Sequence, residues 1–565
     1  MLYEMFKNLT ILFFSFFLLF HHLAEGQNKG IHIASNQLMV DANDPVYKSI
    51  KPGDTLYFDA GSRKYLLIKN FRGEPTKPLV MINSGGEVIF DTDHYYGISI
   101  QNCRYFKLTG TGDTKKTYGF KIARVTNGAG VGIGALSSDF EIDHLSVENT
   151  LIGGIYAKTD PDSTLTSVRG TFTQYNTIIH DNYIANVGDE GLYVGSTKYL
   201  GQTVHFGGKD VLLFPSLLDG VKIYNNIIKY PGWDGIQVSS ASKNCQIYNN
   251  TILYDSQAED ESQMAGIMIG GGTKCDCYNN FISQGKGDGI EVHGLGGTRV
   301  FNNIIVDPGI TFAPGDKTKM KYGIFVTDVS VQNDSSFYIE YNNIINPKSE
   351  GIRFSSVKSK NNMISSNVII NPGNFDYYQN GNTSFKGIDA YIMFQYQESE
   401  ATLKNNYLAR NGDNIGFKSL NMETVDDFNL VANSPLVDNA IDNQKINFDF
   451  SGTKRPQGSK SDIGAIEYLS IPTAVSQKNL SYRQIKLLQN PVRDFLIFSM
   501  PKDANTNVFL SIYNLSGKMI AQLRQWEMSI ENQTIQADIS GIASGIYVYT
   551  IRSGEYASSG KFIKR

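Results

Sequence analysis

The chain has 565 residues, with 51 basic against 55 acidic, a net charge of -4, 32 each of Tyr and Phe, and 54 Gly. That near-balance excludes capture of nucleic acid or another polyanion by bulk charge. Four cysteines are too few for a disulfide framework.

Lys7 is followed by an uncharged apolar run from Leu9 to Phe20 and by small residues at Ala24 and Gly26. The run is too short to span a bilayer and reads as a cleaved secretory signal over 1–26, with the mature chain starting near Gln27. In the next stretch, Pro52-Gly53-Asp54 makes a turn before the alternating strand Thr55-Leu56-Tyr57-Phe58. Gly97-Ile98-Ser99-Ile100 and Gly119-Phe120-Lys121-Ile122 introduce a phrase of Gly, apolar, any residue, apolar. It continues as Gly191-Leu192-Tyr193-Val194, Gly235-Ile236-Gln237-Val238, Gly266-Ile267-Met268-Ile269 and Gly289-Ile290-Glu291-Val292, and opens again at Gly323, Gly351 and Gly387. A period of two turns both apolar side chains to one face and the middle residue to the other, as a half-buried strand requires.

A second phrase alternates with the first: Tyr224-Asn225-Asn226-Ile227, Tyr248-Asn249-Asn250-Thr251, Tyr278-Asn279-Asn280-Phe281, Phe301-Asn302-Asn303-Ile304, Tyr341-Asn342-Asn343-Ile344 and Lys404-Asn405-Asn406-Tyr407, with a degenerate copy at Ser366-Asn367. The first spacings are 24, 30 and 23 residues, then 40. A unit of about two dozen residues marks a solenoid. Short strands joined by an Asn corner predict an all-β chain whose body, 27–468, is a parallel β-helix. Asn tolerates the left-handed conformation there, and its amide can bond to the Asn one coil along.

Aligning the coils on these corners places Cys245 and Cys275 at equivalent inward positions in adjacent coils, with Cys277 opposite Ile247. Cys275-Asp276-Cys277 lacks two further metal ligands, so buried thiol packing is expected. The same alignment gives an outward stripe: Tyr193, Gln237, Met268, Glu291, Phe325, Arg353 and Asp389. A second outward position two residues on gives His293, Thr327 and Tyr391. Glu291, His293, Arg353 and Asp389 span about 15 Å at the parallel-strand spacing. Long connections before these strands (253–265, 306–322 and 371–386) would wall a groove over the stripe.

Phe448 to Tyr468 is expected to close the solenoid end, which would otherwise expose strand edges. After a linker over 469–485, residues 486–565 read as a small β-sandwich of short alternating strands.

The opening coil at Ile50 to Phe58 resembles that of secreted right-handed parallel β-helix proteins, the group containing pectate-lyase-like and alginate-lyase-like enzymes. Leu488-Gln489-Asn490-Pro491-Val492, Ile512-Tyr513-Asn514-Leu515-Ser516-Gly517-Lys518, Ser544-Gly545-Ile546-Tyr547-Val548 and the basic end Lys561 to Arg565 resemble, in order, the C-terminal sorting domain of Bacteroidetes type IX secretion cargo. The second resemblance implies recognition by the type IX machinery and a protein released from, or held on, the outer surface of a Gram-negative bacterium. The first implies a polysaccharide lyase or glycoside hydrolase with an extended glycan along the coils; a non-catalytic glycan-binding or adhesin-like protein is the alternative. A monomer is expected.

In the lyase-like enzymes Arg or Lys removes a proton alpha to a carboxylate, often with calcium neutralising that carboxylate. The resemblance of Gly287-Asp288-Gly289-Ile290-Glu291 to their calcium-ligand segment implies Asp288 and Glu291 as ligands. Catalytic candidates are Arg353, Glu291, His293, Lys321 and Asp389, Lys321 being an easier base than a guanidinium. A Glu291–Asp389 pair would serve a glycosidase instead. Tyr193, Trp233, Gln237, Phe325 and Tyr391 are candidates to contact sugar rings. The structural alternatives are an Arg353–Asp389 salt bridge and a solvent-facing His293. The acidic loop Asp255 to Glu261 carries enough oxygen ligands for calcium but lacks the EF-hand spacing, and solvation is the expectation there.

Overall fold

The computed structural model describes residues 30–376, 387–469, 485–501, 508–514, 519–524, 528–531, 533–553 and 556–565. The signal segment 1–26, nearly all of the linker, part of the 371–386 connection and the Leu515 to Lys518 landmark lie outside the described residues.

Three parallel ladders wind through the body as a right-handed parallel β-helix. One is a 12-stranded sheet that includes Ile155–Ala157, Leu192–Val194, Ile236–Val238, Ala265–Ile269, Asp288–Val292, Ile324–Val326, Ile352–Phe354 and Ile392–Phe394. Its inward positions are fully buried Ile and Val, among them Ile236, Val238, Ile267, Ile290, Val292, Ile324 and Val326. Each stabilises the column by roughly 1.5–3 kcal/mol. The glycine opening each strand is there for packing. A Cβ at Gly289 would stand 2.4 Å from the Ile305 side chain and 2.5 Å from the Gly323 carbonyl.

The two asparagines of each corner divide the work. The first takes the left-handed backbone, with φ of 56°, 55°, 54° and 53° at Asn225, Asn249, Asn279 and Asn302. The second points inward and donates to its counterpart one coil on: Asn226 to Asn250, Asn250 to Asn280 and Asn280 to Asn303, each at 3.0 Å. The ladder runs from Asn182 to Asn406. At one coil the phrase is shifted. Tyr341 holds the left-handed position (φ 57°), Asn342 is the ladder residue, and Asn343 begins the next strand.

Three expectations are corrected. Phe120–Val125 pairs with Val88 and Leu145 in another ladder, and Ala129–Gly134 is the true neighbour of Tyr96–Gln101. Gly387 opens no strand: Gly387–Ala390 is a 3-10 turn. The strand begins later, so Met393, not Asp389, pairs with Arg353, and the Tyr391 carbonyl accepts the Ile352 N–H. Tyr391 is buried in the core. Finally, the segment ending at Tyr468 lies along the side of the helix instead of across its end. Phe448 O accepts from Asn302, the Ala465 N–H binds Asn343, Gly464 binds Ser366 O and Asn439 O accepts from Asn405. Apolar burial decides this, because Ile415, Phe428, Leu436 and Phe450 share one core with Phe301, Tyr341 and Val368.

The C-terminal part forms two four-stranded antiparallel sheets around Leu496, Phe498, Leu510, Ile535, Ile551 and Phe562, a small β-sandwich. Asn490 explains its motif by clamping the last strand: its Nδ2 donates to Lys561 O at 3.0 Å and its Oδ1 accepts the Ile563 N–H at 2.9 Å.

Candidate functional site

Register in the 12-stranded sheet sets Tyr156, Tyr193, Gln237, Met268, Glu291, Phe325, Arg353 and Met393 side by side on its outer face. Connections from both strand ends reach over this row. From one side Gln263 accepts from Gln237 Nε2 at 2.8 Å, and Met320 sulfur touches the Arg353 guanidinium. Lys319 is ion-paired with Glu261, tying the 253–265 and 306–322 connections together. From the other side Thr197 meets the Tyr193 hydroxyl at 3.0 Å, and Lys158 Nζ lies 4.3 Å from its ring centroid. The row is thus the floor of a groove.

At its centre Glu291, His293, Asp288 and Lys321 come together. Strand alternation turns Glu291 and His293 to the same face, with His293 Nε2 3.4 Å from Glu291 Oε2. Asp288 Oδ1 accepts the Tyr322 N–H of the next coil, and Oδ2 lies 3.5 Å from Lys321 Nζ. That ammonium also donates to Met264 O at 3.4 Å. Burial alone would lower the Lys321 pKa, but Asp288, Glu291 and Asp255 outweigh it and hold it above its ordinary value. Glu291 is pushed the other way from an ordinary carboxylate. Burial, the Asp288 charge and a hydrogen bond with Asp288 raise it well above the usual range, against the pull of Lys321. Burial lowers His293 to about 4, against the opposing pull of Asp288. Glu291 therefore binds its proton more tightly, and His293 less tightly, than either group does in water.

Sequence reasoning set aside the acids beneath, Asp234 as a repeated turn position before a strand glycine and Asp255 as part of a solvated loop. Asp234 is fully buried; its Oδ1 accepts the Ala265 N–H at 2.7 Å and its Oδ2 accepts from Gln237. Asp255 accepts from Ser256 Oγ at 2.7 Å and from the Gly287 N–H at 3.2 Å, and burial raises it to about 6. The signal available was position: Asp234, Asp288 and Glu350 each immediately precede a strand glycine. The acidic loop is solvated as expected from Ala258 to Glu261, with Glu259 paired to Lys286 at 2.6 Å and Asp260 turned onto its own Ser262; Asp255 departs from that expectation, being buried.

The remaining candidates separate. Arg353 pairs with Glu350 at 3.1 Å, stacks 5.2 Å from the Tyr322 ring centroid and contacts Gln395 at 3.3 Å. This replaces the expected bridge to Asp389, which lies in the turn outside the row. His293 is not solvent-facing, its side chain being 24% exposed. Phe325 and Tyr193 are half-buried on the floor, Gln237 is buried within it, and Trp233 is half-buried at the corner before Asp234. The expected calcium finds a poor fit at Asp288 and Glu291. Calcium takes six to eight oxygens, whereas Asp288 already serves a backbone N–H and an ammonium, and Glu291 is hydrogen-bonded to Asp288 itself.

A second cluster, Glu141, Asp143 and His180, occupies another ladder. Lys107 sits within it, 2.6 Å from Glu141 and 2.9 Å from Asp143, so it carries its own cation. A cavity of about 480 Å³ beside Tyr254, Gln284, Lys286 and Asp307 includes no residue of the groove floor.

The family described as a right handed beta helix region matches residues 217–389, and the secretion system C-terminal sorting domain matches 489–565. The chain is a parallel β-helix protein with a type IX secretion sorting tail. No curated protein matches it. Among solved structures it is similar to pectate lyase Pel9A, at 12% identity over 79% of this chain and 98% of that one, TM-score 0.40. It is also similar to an alginate lyase from Paenibacillus sp. str. FPU-7 (15% identity, 55% and 93% covered, TM-score 0.35) and to the catalytic domain of a GH87 alpha-1,3-glucanase (12% identity, 68% and 69% covered, TM-score 0.30). At such identities and TM-scores the likeness assigns no activity to this chain. The sorting tail of this β-helix protein marks it for export through the type IX system.

Proposed function

We propose that this exported protein is a polysaccharide lyase that binds an extended acidic glycan along the groove and cleaves it by β-elimination. The observation that carries this reading is the pair on the groove floor, Glu291 and His293 3.4 Å apart, with burial and Asp288 raising the proton affinity of the carboxyl and burial lowering that of the imidazole. Neighbouring groups whose environments push their proton affinities apart divide into acid and base.

In this mechanism His293 takes the proton alpha to a uronate carboxylate, and Glu291 gives its proton to the departing glycosidic oxygen. Arg353, leaning over Tyr322, pairs with a sugar carboxylate. Its guanidinium stays charged and is not the base. Lys321, held above its ordinary pKa, also keeps its proton and acts by positioning Asp288, which in turn holds the Glu291 proton. Tyr193 and Phe325 offer ring faces to sugars on either side.

Hydrolysis fits less well. A glycosidase pair stands about 5–5.5 Å apart for retention or 6.5–9.5 Å for inversion, and Asp389, the expected partner of Glu291, lies in the 3-10 turn outside the row, which Met393 continues instead. Exported protein incubated with a panel of uronic-acid and neutral polysaccharides should generate the ultraviolet absorbance of unsaturated uronides from an acidic member. Reducing ends without that absorbance would replace elimination by hydrolysis. Neither signal, with retention on a glycan affinity gel, would leave a binding protein.

A further inference from the structure

Two of the four cysteines share one register position. Cys245 and Cys275 are direct partners in the neighbouring parallel strands Cys245–Tyr248 and Cys275–Tyr278, with sulfurs 2.6 Å apart and both side chains buried. Partners on adjacent strands have Cα atoms about 4.8 Å apart, within the roughly 4.4–6.8 Å that a disulfide spans. The other thiols are placed differently. Cys277 faces Ile247 and Val300 and receives Asn280 Nδ2 at 3.5 Å, so it belongs to the asparagine ladder. Cys103 lies in a distant coil, its sulfur against the Gln101 and Ile68 carbonyls.

The sorting tail adds the second half of the argument. A chain delivered to an outer-membrane export system passes through the periplasm, where disulfides form and persist. We infer that Cys245 and Cys275 are joined by a disulfide in the exported protein. The bond staples the coil bearing Gln237 to the coil bearing Met268, next to that of Glu291. It is a single staple inside a solenoid core, not a framework.

In its formation each thiol loses its hydrogen and one S–S bond is made. The two electrons and two protons pass to the disulfide of a periplasmic thiol–disulfide oxidoreductase, which leaves as a dithiol. The exchange precedes closure of the coil, because the folded interior buries both sulfurs. Burial also pushes the Cys275 thiol well above its ordinary pKa, which removes the thiolate that exchange requires.

The test uses full-length exported protein, denatured in alkylating agent without reductant and digested for mass spectrometry. A linked peptide pair containing Cys245 and Cys275 is expected, with Cys103 and Cys277 alkylated. Alkylated Cys245 and Cys275, or a Cys275–Cys277 or other pairing, would overturn the assignment. A thermal scan gives an independent reading: reductant should lower the unfolding midpoint of the natural protein and leave that of Cys245→Ala/Cys275→Ala unmoved. Equal insensitivity of both proteins would also count against the bond.

Discussion

The inner corner and the outer floor of the same coils obey opposite rules. From Asn182 to Asn406 each corner amide repeats the one before it, donating to the next amide and to backbone carbonyls, so that buried polar groups satisfy one another. On the floor no side chain repeats between Gln237 and Arg353; Gln, Met, Glu, Phe and Arg follow in order. Repetition makes the scaffold rigid, and the position where it lapses holds titratable groups whose proton affinities burial has shifted. A solenoid thus separates the residues that build it from those that act, although both lie within one coil.

Substituting at each place should therefore break different things. The largest effect is expected from Glu291→Gln, which keeps shape but removes the transferable proton. Turnover of an acidic polysaccharide should fall by about 10²–10⁴ with KM little changed, as steady-state kinetics would show, while the unfolding midpoint holds.

Asn280→Ala should do the converse. It strands the Asn250 N–H and the Ile247 carbonyl and should cost about 3 kcal/mol or more in denaturant unfolding, with activity retained in the molecules that stay folded. If activity fell first, the corner and the floor would not be independent.

A pH series sharpens the contrast from the floor side. His293 is lowered to about 4 in the folded chain against an ordinary value near 6.5, so between those values the unfolded chain binds the extra proton. The contribution of His293 should fall as pH drops through that window, by up to about 3 kcal/mol, while the raised Glu291 and Asp255 contribute with the opposite sign; the check is therefore the difference between the natural protein and His293→Gln, which should show the His293 slope alone. The smallest effect is expected from Arg353→Ala, which removes one charge-assisted contact: KM should rise by about tenfold with turnover nearly preserved.

Much of this was legible in the residues, for physical reasons. The Asn phrase fixes register because it must recur, and the strand period of two then places Tyr193, Gln237, Glu291, Phe325 and Arg353 on one face. The rule failed where its premise lapsed. Tyr391 takes the place of the strand-opening glycine at the last coil, so counting from Gly387 put Asp389 where Met393 stands. Alternation alone also could not tell one ladder from another at Gly119. The protonation of the site was out of reach. It depends on Lys321 and Asp255 arriving from long connections, and on how far Asp234, Asp288 and Glu291 are drawn from water, which spacing does not encode.

The most direct measurement is an infrared difference spectrum at neutral pH between the natural protein and Glu291→Gln. A protonated carboxyl band that is lost in the variant is predicted. Loss of a carboxylate band instead would show Glu291 ionised and remove the acid on which the proposed chemistry rests.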